Sequence, residues 1–213
     1  MRPILVAIAG GSTSGKSTLT RRLLGELADR SCAEICLDRY FRNWAALRAD
    51  EADRLRTANR PDAVLWRAFH DHLRRLLGGE MVQLPAVGTA GAARGEKSWC
   101  VGPRDVLIVE GLFALWDDEL RRTADLRVFV DTPDDERVLR RITRDVVERG
   151  GTIERSVAWY RRDVAPGYHR FTEPTRWHAD LVVPNAGFGG LSEPAVHALV
   201  SAIRALLDAR PAG

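Results

Sequence analysis

Lysine is nearly absent from this 213-residue chain: of its 32 basic side chains only Lys16 and Lys97 are lysines. A lysine standing alone among glycines is therefore no background feature. Cysteine is scarce as well. Cys32, Cys36 and Cys100 are odd in number and form no C-x-x-C pair, which excludes a disulfide framework and a tetrahedral zinc site and leaves three buried free thiols as the expectation. Long apolar runs are missing. The stretch from Ile4 to Ala9 is too short for a signal peptide or a membrane span, which points to a soluble, cytoplasmic protein with no membrane partner. Nor does charge of one sign dominate: 32 basic residues face 29 acidic ones, and the arginines are interleaved with Asp and Glu, so a nucleic-acid partner is not expected. No residue type recurs with a fixed period and the apolar content is an ordinary 45%, which excludes collagen, coiled coil and a largely disordered chain. The length suits one domain over residues 1–213.

What is present alternates between strand and helix. Ile4 to Ile8 is a short β-branched run ended by Gly10-Gly11 and reads as a strand buried on both faces. Lys16 to Asp29 follows with Leu19, Leu23, Leu24 and Leu27 on one helical face. Glu34 to Leu37 is a second strand that stops at Asp38. Arg39 to Arg60, with Trp44 and Leu47 among charges, fits helix or loop. Asp62 is placed to cap a helix to Leu77 with Val64, Leu65, Phe69, Leu73, Leu76 and Leu77 inward. Two short strands, Met81 to Leu84 and Ser98 to Val101, flank a Gly/Ala-rich connection. Val106 to Val109 and Leu126 to Val130 are further strands. Thr132-Pro133-Asp134-Asp135 opens a helix with Thr132 as its cap. Leu181 to Val183 is the last strand, and a helix with Val196, Leu199, Val200, Ile203, Leu206 and Leu207 on one face begins at Ser192. The βαβ pattern predicts a parallel sheet covered on both faces.

The chemistry starts at the first turn. Gly10-Gly11-Ser12-Thr13-Ser14-Gly15-Lys16-Ser17 fits G-x-x-x-x-G-K-[ST] between a buried strand and an amphipathic helix. Glycines let backbone N–H groups curl round phosphate oxygens, the helix N-terminus adds positive charge, Lys16 reaches the β- and γ-phosphates and Ser17 ligates Mg²⁺. Asp38, at the carboxyl end of the second strand, fits a base that takes the proton of an attacking hydroxyl; a loop or capping Asp is the alternative. Glu110, at the end of Val106 to Val109, occupies the acidic position that orders Mg²⁺. Arg137, Arg140, Arg141 and Arg144 fall at i, i+3, i+4 and i+7, with Arg149, Arg161 and Arg162 beyond. Such a stripe can close over a triphosphate, or it can be a solvated helix face paired with Asp134, Asp135, Glu136, Asp145 and Glu148.

Taken together, the GGSTSGKST loop, Leu37 to Arg42, Arg60 to Ala63, IVEGLFAL (108–115), VFVDTPDDERVLRRITRDVVERG (128–150) and Pro174 to Pro184 resemble the uridine kinase and phosphoribulokinase family, its uridine–cytidine kinase branch most. The resemblance runs along nearly the whole chain. It implies an α/β P-loop kinase fold with a parallel five-stranded sheet core, an acceptor-binding insertion at about 39–102, a mobile Arg-rich lid at about 140–170, and transfer of the γ-phosphoryl group of ATP to a hydroxyl of a small molecule with Mg²⁺. By position it makes Gly10, Gly11, Ser12, Thr13, Ser14, Gly15, Lys16, Ser17 and Thr18 the ATP residues and Ser17 and Glu110 the Mg²⁺ residues. Asp38 becomes the general base, Lys16, Arg144 and Arg149 act on the phosphates, and Asp38, Phe41, Asn59, Arg144 and Arg149 meet the acceptor. A homo-oligomer is left open.

The departures concern the acceptor. Family members grip the pyrimidine with a Tyr and a His, whereas the window Ala86 to Ala93 holds no aromatic or imidazole here. A ribose-binding Asp is Asn59, an Arg after the ERG segment is Gly151, and a Gln before the lid Tyr is Trp159. Uridine and cytidine are accordingly expected to be poor substrates. A ribosyl or nucleoside acceptor leads; nicotinamide riboside, pantothenate or a sugar, or a nucleotide-binding regulator that phosphorylates nothing, are the alternatives.

Overall fold

The computed structural model describes residues 1–46, 57–187 and 190–210. Its main sheet has five parallel strands: β1 (Ile4–Gly10), β2 (Cys32–Cys36), β5 (Val106–Glu110), β6 (Leu126–Asp131) and β7 (Leu181–Pro184). Their order is β2-β5-β1-β6-β7, so the first strand made lies at the centre, with β5 on one side and β6 on the other. Every residue of β1 is buried, as expected of a strand covered on both faces. The hairpin β3 (Val82–Leu84) and β4 (Trp99–Val101) forms a separate antiparallel pair.

Each face carries its own core. On one side α1 (Lys16–Glu26) and α7 (Glu193–Asp208) bury Leu19, Leu23, Val196, Leu199 and Ile203 against Val6, Ile8, Ile108 and Val128. On the other, α2 (Trp66–Leu77) sets Phe69, Leu73 and Leu76 against Leu5, Ala7, Leu107 and Phe113. The period of 3.6 that identified these helices also identified their buried faces. Short helices α3 (Ala90–Ala93) and α4 (Asp118–Thr123) fill the connections. After β6, α5 (Asp134–Thr143) widens into a π-type segment, Arg144–Glu148. Then α6 (Ile153–Trp159) continues through further wide turns, Tyr160–Val164 and Tyr168–Thr172, on either side of Ala165–Gly167.

Several expectations need correction. Asp62 caps no helix: Pro61–Ala63 is a single 3₁₀ turn and α2 begins at Trp66. Thr132 does not cap α5, because its hydroxyl donates to the Ser14 carbonyl at 2.9 Å; tertiary contact outcompetes the local cap. The second strand runs from Cys32 to Cys36, and Leu37 begins a 3₁₀ turn to Tyr40. The thiols are not all buried: Cys100 is exposed and the other two are half-buried. Of the stretch left as helix or loop, Trp44–Ala46 is a 3₁₀ turn and 47–56, with Leu47, lie outside the described residues. Among the described residues no helix is long and apolar enough to cross a membrane.

Candidate active site

All five parallel strands point their carboxyl ends at one edge of the sheet, the edge where open α/β sheets receive ligands. β1 delivers the glycine-rich loop, β2 the turn with Asp38, β5 Glu110, β6 Thr132 and β7 Asn185. Register brings the acidic pair together, since Glu110 lies beside Cys36 across the β2–β5 ladder. Gly111 lets the next turn come close: a Cβ there would sit 2.6 Å from Cβ of Leu37, one residue before Asp38.

The loop after β1 is braced from behind. Gly15 takes the left-handed conformation (φ 95°) and lies directly against the Asn185 amide, where a side chain would collide. Asn185 Nδ2 donates to the Ser14 carbonyl at 2.7 Å, joining the bond from Thr132. With that carbonyl engaged behind it, the loop and the start of α1 line the open side, where an anion cradle needs its N–H groups. Lys16 is folded inward, donating to the carbonyls of Gly10 (3.0 Å) and Gly11 (2.8 Å). Burial pulls its pKa below the ordinary lysine value, against the opposing pull of Glu110 and Asp38. Ser17 Oγ donates to Glu110 Oε1 at 3.0 Å, and Glu110 is buried. A hydroxyl and a buried carboxylate side by side form a hard oxygen pair that suits Mg²⁺.

Asp38 opens onto the cleft from a floor of protein. Asp38 is an exposed residue at the cleft, but protein crowded round its carboxyl pushes it above the usual carboxylate range, Lys16 pulls the other way, and Glu110 adds to the rise.

One open cleft of about 890 Å³ is lined by Ser12, Thr13, Gly15, Lys16, Ser17, Thr18, Cys36, Asp38 and Glu110, and by Arg140, Arg144 and Arg149 from α5 and the turn after it. The expected phosphate, base, metal and lid residues thus share one space, while Gly10, Gly11 and Ser14 shape the loop from beneath. Phe41 and Asn59 do not line this cleft. Phe41 is tied by its backbone to Val64 and, at 2.8 Å, to the amide of Ala90. Asn59 is buried, donates to Thr57 Oγ1 at 3.1 Å, and borders a narrow crevice with Ser12, Phe113 and Tyr168. The window 86–93 is a small packed turn: Thr89 is fully buried and caps α3, and Val87 faces solvent.

The arginine stripe divides. Arg137 is not on the cleft but buried behind the loop, 3.6 Å over the Tyr168 ring and paired with Asp134, with Nε donating to the Thr132 carbonyl at 3.2 Å. Arg162 pairs with Asp163, and neither it nor Arg161 lines the cleft. Asn185, Thr132 and Arg137 are supporting residues that sequence reasoning missed as such; each reaches the loop from a distant strand or helix, so no local signal marks the role.

Similarity to known proteins agrees with this geometry. The model of the phosphoribulokinase / uridine kinase family matches residues 5–189. A uridine kinase of Lactiplantibacillus plantarum is 35% identical over 206 residues, 97% of each chain. One from Streptococcus mutans is 39% identical over 184 residues, 86% of this chain and 87% of its own. Among solved structures, phosphoribulokinase from Rhodobacter spheroides superposes with a TM-score of 0.60 at 19% identity, over 87% of this chain and 71% of that one. D-glycerate 3-kinase from Cryptococcus neoformans gives 0.66 at 14%, over 87% and 86%. At these identities the two structures speak for the fold alone.

Proposed function

Since the chain belongs to the phosphoribulokinase and uridine kinase family, we propose that the cleft at the carboxyl edge of its sheet is where an ATP-dependent kinase passes the γ-phosphoryl group to a hydroxyl of a small, ribose-bearing acceptor. The observation that carries this reading is the meeting of Lys16, Ser17, Asp38, Glu110, Arg144 and Arg149 around one cleft. The residues come from four separate parts of the chain, and a glycine-rich turn without a ligand has no need of the other three.

The triphosphate lies on the N–H groups of the loop and the start of α1. Lys16 leaves the carbonyls of Gly10 and Gly11 for the β- and γ-phosphates, a short move for a flexible side chain. Ser17 and Glu110 would hold Mg²⁺, which would supply neutralisation of phosphate charge. Asp38 takes the proton of the acceptor hydroxyl as its oxygen bonds to the γ-phosphorus and the bond to the ADP oxygen breaks. Its raised pKa makes it a better proton acceptor than an ordinary carboxylate. Arg144 and Arg149 face the charge spread over the transferred group. The acceptor is held by the insertion at about 39–102, and the lid is the segment at about 140–170.

The uridine kinase relatives, similar over nearly the whole chain, favour a nucleoside acceptor. A coupled assay of ADP release with a panel of nucleosides, vitamins and sugars tests this. Acceptor-dependent ADP release is the expected result; ATP binding with no acceptor that stimulates release would make the protein a nucleotide-binding regulator.

A further inference from the structure

Between α5 and α6 the chain gathers its cations on one carboxylate. Asp145 lies in the widened segment after α5, with its side chain 18% exposed. Its Oδ1 accepts from Arg144 (3.2 Å from both Nε and Nη2) and from Arg149 Nη1 (3.4 Å). Its Oδ2 is 3.2 Å from Arg141 Nε and accepts from Ser156 Oγ at 3.4 Å. Arg141 in turn donates to Ser12 Oγ of the glycine-rich loop at 3.1 Å. Three guanidinium groups therefore share two oxygens.

These contacts are long for charged pairs, which settle near 2.7–2.9 Å when the geometry is free. A locked pair exists in the same molecule: Asp180 grips Arg127 at 2.6 and 3.0 Å. At Asp145 no arginine has an optimal bond, so each can leave at small cost. The turn itself does not depend on the carboxylate. Backbone bonds from Gly151 to the Asp145 carbonyl (2.9 Å) and from Arg149 to the Arg144 carbonyl (3.1 Å) close it. The carboxylate thus offers these arginines what phosphate oxygens would offer: it neutralises them and gathers them on one side.

Resting on the kinase reading above, we propose that Asp145 is a positioning residue that competes with phosphate for Arg144 and Arg149, keeps the two together, and reclaims them as ADP leaves. Its own side chain does not line the cleft. Its negative charge beside the phosphate site also opposes polyanion binding, and that opposition speeds product release.

The test is Asp145→Asn with ADP as the titrant. Removing one competing anion from a charge cluster of this kind is expected to tighten ADP and ATP binding about three- to thirtyfold at low salt, and the gain is expected to shrink as salt rises toward about 0.5 M. The kcat and the KM for ATP should fall together, because ADP departs more slowly. Asp145→Glu should return both toward the wild-type values. A carboxylate that merely held the lid's shape would give the opposite pattern, a raised KM with a lower melting temperature, and that result or an unchanged ADP affinity would overturn the proposal. Should the Asn variant be insoluble, Asp145→Ser carries the same expectation, and failure of both to fold would count against it. A wild-type protein that binds neither ADP nor ATP would sink the kinase reading and the proposal with it. One that binds and turns over, with no tightening in the variant, would sink the proposal alone.

Discussion

Lys16 and Asp38 face each other across the phosphate end of the cleft, and their predicted effects differ in kind. Lys16 belongs to a loop and the start of a helix, so Lys16→Ala should leave the fold intact and lower turnover about 10²–10³-fold, the loss expected when one strong transition-state donor goes. Circular dichroism with a steady-state assay checks both halves; full activity in the variant would end the phosphate-loop reading. Asp38→Asn should bind ATP within a few-fold of wild type and lose most of its turnover. The base form of Asp38 is the ionised one, and the protein crowded round its carboxyl, with Glu110, raises its pKa. Activity should therefore climb with pH along an acid limb placed above the ordinary carboxylate range, and a kcat/KM–pH profile should show that limb in the wild type and not in the Asn variant. Asp38 as a mere loop residue would leave rate and profile untouched.

At the scale of the element, α5 and the wide turn after it carry two kinds of arginine that sequence spacing does not tell apart. Arg137 is buried between the phosphate loop and Tyr168, whereas the Arg149 side chain beyond the helix is 64% exposed. Arg137→Ala removes a cation–π contact and buried hydrogen bonds, a loss of about 2–3 kcal/mol. In a chain of this size that lowers the melting temperature by roughly 5–10 °C. Arg149→Ala removes an exposed side chain whose pair contributes about 0.3–0.5 kcal/mol, and Arg144→Ala removes only the long 3.2 Å contacts of a half-buried one, so melting should barely change while kcat falls. A thermal melt beside a rate measurement on each variant separates the two; a stable, slow Arg137→Ala, or a normal rate with Arg149→Ala, would mean that their places are exchanged.

For the whole molecule, legibility followed contiguity. The sheet, its two-sided cover and the phosphate loop were readable because each is written in a short run: a buried β-branched strand, a glycine-rich turn, a helix with one apolar face. The braces on the loop were not readable, since Asn185, Thr132 and Arg137 meet Ser14 and Gly11 only after the sheet has formed. The arginine stripe was visible, but periodicity defines a face and not the neighbour it meets. The acceptor side was the least legible. Phe41 and Asn59 are engaged in packing and local bonds, and the window 86–93 is a turn without a group for a base. With no polar partner for the pyrimidine there, uridine and cytidine should show millimolar KM and little preference over adenosine. A kcat/KM for uridine near about 10⁵ M⁻¹s⁻¹ with clear selectivity would show that other residues read the base.

The central position of β1 also governs how the chain comes into being. Ile4 pairs with Val106 and Val6 with Leu126, so β1, once made, finds neither of its sheet neighbours until the chain beyond them has been made. At about 5–20 residues per second the wait lasts several seconds or longer. Throughout it, a fully apolar strand destined for the centre of the sheet must avoid its own kind. Refolding from denaturant repeats the problem in a test tube, where distant strand pairing is slow and the unpaired strand can meet other chains. Recovery of soluble protein after dilution should therefore fall as the protein concentration is raised, and the strand that builds the cradle is also the one most in need of a chaperone.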